Sequence, residues 1–463
     1  MHLSFKKRVQ CILSACLLCA IALGVGLLWT TLGNPESRKE AAAETAQRTY
    51  KRGTIYDRDG NRLNYSKKVG GKRYYRGGRA YSTLTGFFSQ TYGSMGIEKT
   101  FNTDLVSYRS VTGKKEGCSI ELTTSTALQQ AAYNAISDIP DGAAVVLDVK
   151  TGEILAMAST PTYDPETVDS TWDDLCEIDG LFLPNAYKNT FAPGSDFKII
   201  TACAVIDNGV DGETVEDNGY MTFKNGQTIT NYNGNAYGTL DLDDAIKFSS
   251  NVYFMQKGLD MGGDALEKSI RKFLIGDSIE LDFTTLKSTL NFEDYSDQVV
   301  ASIAFGQGQT EVSPLQMAMA AQAIANDGVM LKPYLIQNIR TPSGSVKSEG
   351  ETEILSDSVT SKETADRVTS AMTLAAERYG FGYIGPEGWD VAAKTGTAET
   401  GKSYNGWVVS FAPSEDPKYV VVVMAANQEE DGIYYKYAVD QIYDALADYD
   451  QLRDYSSDSE DSD

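Results

Sequence analysis

The order of strand and helix patterns along the chain is what most restricts its fold. Apolar runs with turn signals and stretches of helical periodicity follow one another in this order: a helix at 127–136, strands at 143–148 and 153–158, helices over about 195–275, 313–327 and 361–378, strands at 391–397, 404–411 and 419–426, and a helix at about 437–448. Strands from both ends of this segment are expected to join one sheet. Helices should cover the sheet, and the helical middle should pack to one side of it.

A long apolar segment lies close to the N-terminus. No charged residue occurs from Val9 to Pro35, and Cys11–Trp29 is almost wholly apolar. About 20 apolar residues in a helix span a bilayer. Because basic residues at 6–8 precede this segment, we expect a single-pass protein of the cell membrane, with its N-terminus in the cytoplasm and its body outside the cell.

The remaining chain divides by composition. Residues 50–121 are rich in Gly, Tyr and Ser and show no helical period, which indicates a small extended or β-containing domain without catalytic residues. The last residues carry an acidic run that is typical of a disordered tail. The expected division is a cytoplasmic tail (1–8), a transmembrane helix (9–32), a juxtamembrane linker (33–49), the small domain (50–121), the main domain (122–450) and an acidic disordered tail (451–463).

Composition excludes several kinds of site. The chain has one histidine, His2, which lies in the N-terminal tail, so no imidazole is available for a Ser-His-Asp relay, a Cys-His pair or a His-ligated metal. Lys and Arg total 41 against 64 Asp and Glu, with no clustered basic face, which argues against nucleic acid as a partner. We expect no metal and no cofactor, and proton transfer must use another group.

Serine and lysine are the remaining candidates for that chemistry. The segment Pro193-Gly194-Ser195-Asp196-Phe197-Lys198 ends a loop and starts an apolar helix, which places Ser195 and Lys198 one turn apart on one face. A helix N-terminus favours developing negative charge, and a desolvated lysine near another cation loses its proton readily. Taken alone, the pattern also fits a helix-capping serine and a surface lysine, since such spacing occurs by chance.

Two further motifs follow in order along the chain. The first is Ser249-Ser250-Asn251, which follows an amphipathic stretch, and the second is Lys394-Thr395-Gly396-Thr397, which lies in an apolar strand pattern. A second hydroxyl can relay a proton, an amide side chain can hold a peptide group, and a lysine with threonines on a strand can bind a carboxylate. Each motif is weak by itself, but the ordered triplet is specific.

With these motifs the sequence resembles the penicillin-binding proteins, specifically the monofunctional, membrane-anchored class B transpeptidases. It is most similar to the short penicillin-binding protein A type, and the resemblance extends from Arg52 to about Gln441. Other blocks that resemble the family are Arg52–Arg58, Tyr92–Glu98, Asp148–Met157, Phe305–Gly308, Ser313–Met317 and Asn405–Pro413. The resemblance implies the α/β (α+β) serine acyl-transferase fold of the penicillin-binding and β-lactamase type, with a central antiparallel sheet covered by helices, a helical subdomain and a small N-terminal pedestal domain.

The resemblance also implies roles for the motif residues in a peptidoglycan D,D-transpeptidase. Ser195 would attack the penultimate D-Ala carbonyl of a D-Ala-D-Ala stem peptide, Lys198 would accept its proton, and Ser249 with Lys394 would pass a proton to the leaving D-Ala. Asn251 and the segment Thr395-Gly396-Thr397 would bind the donor peptide, with the two threonines at its carboxylate. Backbone N–H groups of Ser195 and Thr397 would form the oxyanion hole, and β-lactams would trap Ser195 as a stable acyl-enzyme.

Two residues depart from the family pattern. Asp196 follows the nucleophile where a small or uncharged residue is more frequent, and it could hold Lys198 charged or perturb acylation. Ala393 precedes Lys394 where glycine is common. A D,D-carboxypeptidase, a β-lactamase, and a β-lactam receptor or non-catalytic scaffold of a wall-building complex stay open as alternatives.

The membrane anchor and the N-terminal blocks favour the transpeptidase among these alternatives. About ninety residues between the membrane segment and Leu122 are too few for an appended glycosyltransferase, which argues against a bifunctional enzyme. The resemblance implies a membrane glycan polymerase as a partner, contacted through the transmembrane helix and the N-terminal domain.

Overall fold

The structure is a computed structural model that describes residues 50–460 apart from 107–114, 293, 382–383, 387, 402 and 430–434, with side chains described as far as residue 452. The predicted cytoplasmic tail, transmembrane helix and linker, residues 1–49, lie outside the described residues. Within the described ranges, no helix is both long enough and apolar enough to cross a membrane.

The N-terminal part of the chain consists of short strands and short helices. These are β1 (Ile55–Tyr56), β2 (Arg62–Ser66), β3 (Arg73–Tyr75), α1 (Gly78–Ser82), β4 (Phe88–Ser89), β5 (Gly93–Ser94), α2 (Gly96–Thr100), α3 (Asn102–Val106) and β6 (Ser119–Leu122). Strands β1 and β2 are antiparallel, and the turn between them is held by the Asp57 carboxylate, which accepts the backbone N–H of Asn61 at 2.7 Å. The β-containing region predicted here is therefore present, with three short helices besides.

The main part of the chain begins with a helix and a β-hairpin and continues through a helical region. Its elements are α4 (Thr126–Ile136), β7 (Asp141–Asp148), β8 (Ile154–Ser159), α5 (Val168–Cys176), a 3₁₀ turn (Gly194–Phe197), α6 (Lys198–Asp207), β9 (Val215–Asp217), β10 (Tyr220–Thr222), β11 (Thr228–Thr230), β12 (Gly238–Leu240), α7 (Leu242–Phe248), α8 (Asn251–Met261), α9 (Gly263–Lys272), β13 (Thr289–Leu290), α10 (Asp297–Ala304), β14 (Thr310–Glu311) and α11 (Pro314–Ala325). The chain then returns to strands. These last elements are β15 (Met330–Leu331), β16 (Ile336–Arg340), β17 (Val346–Glu349), β18 (Ile354–Ser356), α12 (Lys362–Tyr379), β19 (Ala392–Glu399), β20 (Tyr404–Ala412), β21 (Tyr419–Gln428) and α13 (Lys436–Glu460).

A five-stranded sheet in the order β19-β20-β21-β7-β8 forms the centre of the described main domain. Every neighbouring pair is antiparallel, and β21 from the end of the chain pairs with β7 from the start, with Val422 opposite Val145. The element order therefore predicted this sheet correctly. Both faces are covered, because Val421 and Val423 pack with α4 and α13 while Val422 packs with α11 on the other side. Coverage on both faces explains why these strands are continuous apolar runs.

The helical middle of the chain contains strands that the sequence patterns did not predict. Strands β10 and β11 form an antiparallel hairpin around Asn225-Gly226, where Gly226 has a positive φ of 85°. The Asn-Gly pair followed by alternating Thr and Ile is a hairpin signal, which the surrounding helical periodicity obscured. Thr230, the last residue of this hairpin, lines a cleft together with Ser195.

The first sheet takes strands from two distant parts of the chain. Within the described residues its order is β17-β16-β6-β1-β2-β3, so residues 336–349 pack with the N-terminal strands. Ile339 lies opposite Ile120, and Arg340 forms an ion pair with Glu121 at 2.7 Å. The division expected at 121/122 placed β16 and β17 wholly in the main domain, because no local pattern in 336–349 indicates a partner so far away in sequence.

The closing helix is longer than its apolar pattern predicts. Helix α13 ends at Glu460, whereas the pattern ended near residue 448 and composition indicated a disordered tail from 451. Its packed side chains include Tyr443, Leu446 and Tyr449, which lie against the central sheet. A helix anchored in this way extends at little cost per residue, so helical structure continues into the acidic segment.

A buried ion cluster holds the N-terminal domain together. Glu98 on α2 is fully buried and accepts hydrogen bonds from Arg52 Nε at 2.6 Å, Arg73 Nε at 2.7 Å and Asn64 Nδ2 at 3.0 Å. Burial alone would raise the pKa of Glu98, but the guanidiniums of Arg73 and Arg52 outweigh it and keep that pKa below its usual value. The carboxylate thus joins two of the sequence blocks that resemble the family.

We expect Glu98→Ala to reduce the free energy of unfolding by about 3–5 kcal/mol, because it leaves two buried guanidiniums without their carboxylate. Urea unfolding of the purified protein measures this loss. Glu116→Ala is the matched control, since Glu116 pairs with Lys51 at a half-exposed site and its removal should cost less than about 1 kcal/mol. Equal losses in the two variants would contradict the role given to Glu98.

Candidate active site

The three sequence motifs meet at one cleft of about 540 Å³ beside strand β19. The cleft lies between the edge of the central sheet and the helical region. Its lining combines hydroxyl, amide, aromatic and acidic side chains: Ser195, Thr230, Asn231, Tyr232, Asn233, Tyr237, Phe248, Ser249, Asn251, Tyr379, Thr395, Gly396, Thr397, Glu399, Tyr404 and Glu429. A cleft of this volume is in the range of sites that bind small ligands.

Ser195 and Lys198 are positioned by the 3₁₀ turn that leads into α6. In a 3₁₀ turn residues i and i+3 eclipse one another, and Lys198 Nζ lies 2.9 Å from Ser195 Oγ. Gly194 opens the turn at a positive φ of 57°, and a Cβ there would stand 2.5 Å from the carbonyl oxygen of Thr397. The turn therefore requires glycine at 194. Ser195 is half-buried and faces the cleft, while Lys198 is fully buried behind it.

The Lys198 amine is surrounded by oxygen atoms of the second motif. Besides Ser195 Oγ, it contacts the backbone oxygen of Ser249 at 2.7 Å, Asn251 Oδ1 at 2.7 Å and Ser249 Oγ at 3.2 Å. Burial lowers the pKa of Lys198 well below its usual value, and the nearby Lys394 lowers it further, although Asp217 and Asp196 oppose this. The arrangement favours a neutral amine.

Ser249 lies at the junction of two helices in a left-handed conformation. It caps the C-terminus of α7 with φ 57° and ψ 41°, and Ser250 then caps the N-terminus of α8. A residue other than glycine in this region costs on the order of 1 kcal/mol. The conformation directs both the backbone oxygen and the hydroxyl of Ser249 at Lys198.

Lys394 approaches the same hydroxyl from the sheet. Its amine donates to Ser249 Oγ at 2.9 Å and to the backbone oxygen of Thr395 at 2.7 Å, and the side chain is fully buried. Burial lowers the pKa of Lys394 to about 8, with Asp196 opposing. The Ser249 hydroxyl thus stands between two amines, and a continuous chain of contacts runs from Ser195 through Lys198 and Ser249 to Lys394.

Strand β19 forms the other wall of the cleft. It ends the described order of the central sheet, so its outer backbone edge faces the cleft. Thr395 and Thr397 are half-buried there, and Gly396 is buried against the 3₁₀ turn, where a Cβ would stand 2.9 Å from the oxygen of Pro193. The structure therefore brings all the sequence-predicted site residues to this one cleft.

Two residues that the sequence patterns did not identify hold Asn251 in place. Asn231 Oδ1 accepts the backbone N–H of Asn251 at 2.7 Å, and Asn231 Nδ2 donates to both oxygens of Asp217 at 2.8 Å. The Asn251 amide also donates to the backbone oxygen of Thr230, at the end of hairpin strand β11, at 2.8 Å. The Asn225-Gly226 turn signal is the one feature that could have located this support.

Two models of known protein families match this chain. Residues 142–444 match the penicillin binding protein transpeptidase domain, and residues 52–114 match the penicillin binding protein A dimerisation domain. The peptidoglycan D,D-transpeptidase PbpA of Mycolicibacterium smegmatis is 31% identical over 411 residues, which cover 80% of this chain and 82% of the relative. The peptidoglycan D,D-transpeptidase MrdA of Haemophilus influenzae is 30% identical over 400 residues, which cover 78% of this chain and 59% of the relative.

Solved structures show the same fold. The D,D-transpeptidase domain of a peptidoglycan glycosyltransferase from Eggerthella lenta superposes with a TM-score of 0.80 at 30% identity, covering 87% of this chain and 100% of that one. The ceftriaxone acyl-enzyme of penicillin-binding protein A from M. tuberculosis gives 0.80 at 26% identity, covering 86% and 99%. The fold predicted from the motifs is confirmed, and the chain belongs to the penicillin-binding protein transpeptidase family, in its class B, penicillin-binding protein A branch.

Proposed function

We infer that this protein is a penicillin-sensitive peptidoglycan D,D-transpeptidase that cross-links stem peptides through an acyl-enzyme on Ser195. The observation that carries the proposal is the cleft-facing Ser195 hydroxyl, 2.9 Å from the fully buried amine of Lys198. The curated relatives named peptidoglycan D,D-transpeptidase and the β-lactam acyl-enzymes of the M. tuberculosis protein support it.

Lys198 is the base of the acylation step. A neutral amine has two N–H groups and one lone pair. Its N–H groups can be donated to the backbone oxygen of Ser249 and to Asn251 Oδ1, each at 2.7 Å, which leaves the lone pair for the Ser195 hydroxyl. Ser195 Oγ attacks the carbonyl carbon of the penultimate D-Ala while its proton passes to Lys198. The backbone N–H groups of Ser195 and Thr397 receive the oxyanion.

Ser249 and Lys394 supply a proton to the leaving group. The bond between the carbonyl carbon and the nitrogen of the terminal D-Ala breaks, and that nitrogen needs a proton. The Ser249 hydroxyl lies 3.2 Å from Lys198 and 2.9 Å from Lys394, so it can deliver one proton to the leaving amine and regain one from a lysine. A charged Lys394 beside Thr395, Gly396 and Thr397 also favours the carboxylate of the donor peptide, and Asn251 orients the peptide.

An amine of a neighbouring stem peptide then attacks the acyl-enzyme and forms the cross-link. Water in place of that amine would make the enzyme a D,D-carboxypeptidase. A β-lactam acylates Ser195 in the same way, but its leaving nitrogen stays attached through the opened ring, so the adduct persists.

We further propose that residues 9–32 form a transmembrane helix that keeps the catalytic domain on the outer side of the cell membrane. The uncharged segment preceded by basic residues at 6–8 supports this topology. Cross-linking acts on glycan strands that a polymerase must supply at the same membrane, so a membrane glycan polymerase is the proposed partner.

Labelled penicillin tests the nucleophile. We expect a covalent adduct on the wild-type protein and none on Ser195→Ala, because the variant lacks the attacking oxygen. Ser170→Ala, which removes an exposed hydroxyl on α5, is the matched control and should label normally. A wild-type protein that takes up no label would contradict the enzymatic proposal, and a labelled Ser195→Ala protein would show that another residue is the nucleophile.

The two lysines predict a bell-shaped pH dependence for acylation. The rate should fall at low pH as Lys198 gains a proton, and it should fall above about pH 8 as Lys394 loses one. The acylation rate with a penicillin, measured from pH 5 to 10, gives both limbs. In Lys394→Arg the alkaline limb should disappear, because a guanidinium does not lose its proton in this range.

Lys198→Arg should lower the acylation rate by about 100- to 10,000-fold at every pH, as expected for loss of a general base.

A wild-type profile without the alkaline limb, or a Lys394→Arg profile that keeps it, would refute the assignment of Lys394.

Product analysis separates the transpeptidase from the carboxypeptidase. With a D-Ala-D-Ala stem peptide and an amine acceptor, we expect a cross-linked product together with free D-Ala, and mass spectrometry identifies both. Shortened peptide without any cross-linked product, at every acceptor concentration, would refute cross-linking and favour the carboxypeptidase.

A further inference from the structure

The first turn of helix α8 is capped by two side chains rather than one. The first backbone N–H groups of a helix have no partner within the helix, so other groups must accept them. Asn231 Oδ1 accepts the N–H groups of residues 251 and 252, at 2.7 and 3.1 Å. Ser250 Oγ accepts the N–H group of residue 253 at 3.0 Å. The place where α8 starts therefore depends on how these two side chains are oriented.

Both capping side chains are hydrogen-bonded to the carboxylate of Asp217, which ends strand β9 and is 1% exposed. Asn231 Nδ2 donates to each of its oxygens at 2.8 Å, and Ser250 Oγ donates to one of them. The backbone N–H group of Gly219 donates to the other oxygen at 2.8 Å. All of these neighbours are donors, which suits a carboxylate because it offers only acceptors.

The carboxylate permits one orientation of each capping group. An amide side chain has a donor end and an acceptor end. The donor end of Asn231 is taken by Asp217 and by the backbone oxygen of Asn235 at 2.8 Å, so its oxygen faces α8. The reversed amide would place N–H groups against the N–H groups of the helix. The Ser250 proton likewise points to Asp217, which leaves the lone pairs of that hydroxyl for the helix.

The residues on either side of Ser250 contact the base of the proposed mechanism. The backbone oxygen of Ser249 and Asn251 Oδ1 each lie 2.7 Å from Lys198 Nζ. These two oxygens accept the N–H groups of the neutral amine, and so direct its lone pair to the Ser195 hydroxyl. A displaced start of α8 would move both oxygens and turn the lone pair away from Ser195.

We propose that Asp217 is a positioning residue that fixes the orientations of Asn231 and Ser250 and thereby holds Ser249 and Asn251 against Lys198. The inference rests on the proposed function, since it concerns the base of that acylation step. Asp217 is not among the described residues that line the cleft, so it acts through its neighbours and not on the substrate. Ser250, the middle residue of the second motif, gains a role besides that of a helix cap.

The experiment measures acylation of the full-length protein by a fluorescent penicillin over a range of concentrations. Asp217→Asn puts an amide N–H group among the donors of Asn231, Ser250 and Gly219, so the start of α8 should shift. We expect the maximal acylation rate constant to fall about 10- to 100-fold, since a misplacement of about 1 Å has an effect of this size. The half-saturating concentration should change less, because strand β19 on the other wall binds the carboxylate of the penicillin.

A second variant and a control test the route of the effect. Asn231→Ala interrupts the same hydrogen bonds one residue later and should give the same result, also if Asp217→Asn does not fold. In the double variant the two losses should not multiply, because both act through the Asn231 oxygen. Asp282→Asn is the matched control. Its carboxylate accepts the backbone N–H groups of Leu335 and Ile336, and it is not among the described cleft residues, so the rate constant should stay unchanged.

The labelled fraction at the end of the reaction separates positioning from folding. A positioning role predicts full labelling at a reduced rate. A reduced labelled fraction with a wild-type rate constant, or a wild-type rate constant in both single variants, would overturn the inference and leave the transpeptidase proposal intact. Losses that multiply in the double variant would overturn the action through Asn231. A wild-type protein that forms no adduct would overturn the proposed function, and the inference with it.

Discussion

The burial of two lysine amines around one serine hydroxyl is the constraint on which the site depends. Each amine loses its water, and the protein replaces it with oxygen atoms: a backbone oxygen, an amide oxygen and a hydroxyl at Lys198, a backbone oxygen and the same hydroxyl at Lys394. Desolvation disfavours the charged form of both groups, and the charge of Lys394 lowers the pKa of Lys198 further. The chain has no histidine outside its N-terminal tail, so this burial is its means of obtaining a base near neutral pH.

The fold supplies the precision that such a site requires. The buried helix α6 carries Lys198, the edge strand β19 carries Lys394, and a left-handed residue between two helices presents Ser249 to both. These three elements come from different regions of the chain, and the central sheet joins strands from the start and the end of the main domain. Rigid elements therefore hold every reacting group, which is how positioned catalysis gains its rate.

Local patterns predicted the pair Ser195 and Lys198, the other two motifs and the strands of the central sheet, because each of these leaves a signal within a few residues. The residues that hold Asn251 in place left a weaker signal in the sequence. Asn231 directly follows the short strand β11 and Asp217 ends the short strand β9, and their role depends on a tertiary contact with the start of α8. The burial of Asp196 against Gly396 was likewise beyond the sequence, since these two residues are distant along the chain. Burial and long-range pairing, which no window of residues contains, account for these differences.

The pairing of residues 336–349 with the N-terminal strands has a consequence for synthesis. Strand β6 cannot pair with β16 until the ribosome has synthesised the helical region and α11. The sheet that contains the N-terminal strands therefore stays incomplete while most of the catalytic domain is synthesised. Contacts of such long sequence separation form slowly. The sheet of the N-terminal domain is therefore completed only after most of the catalytic domain has been synthesised.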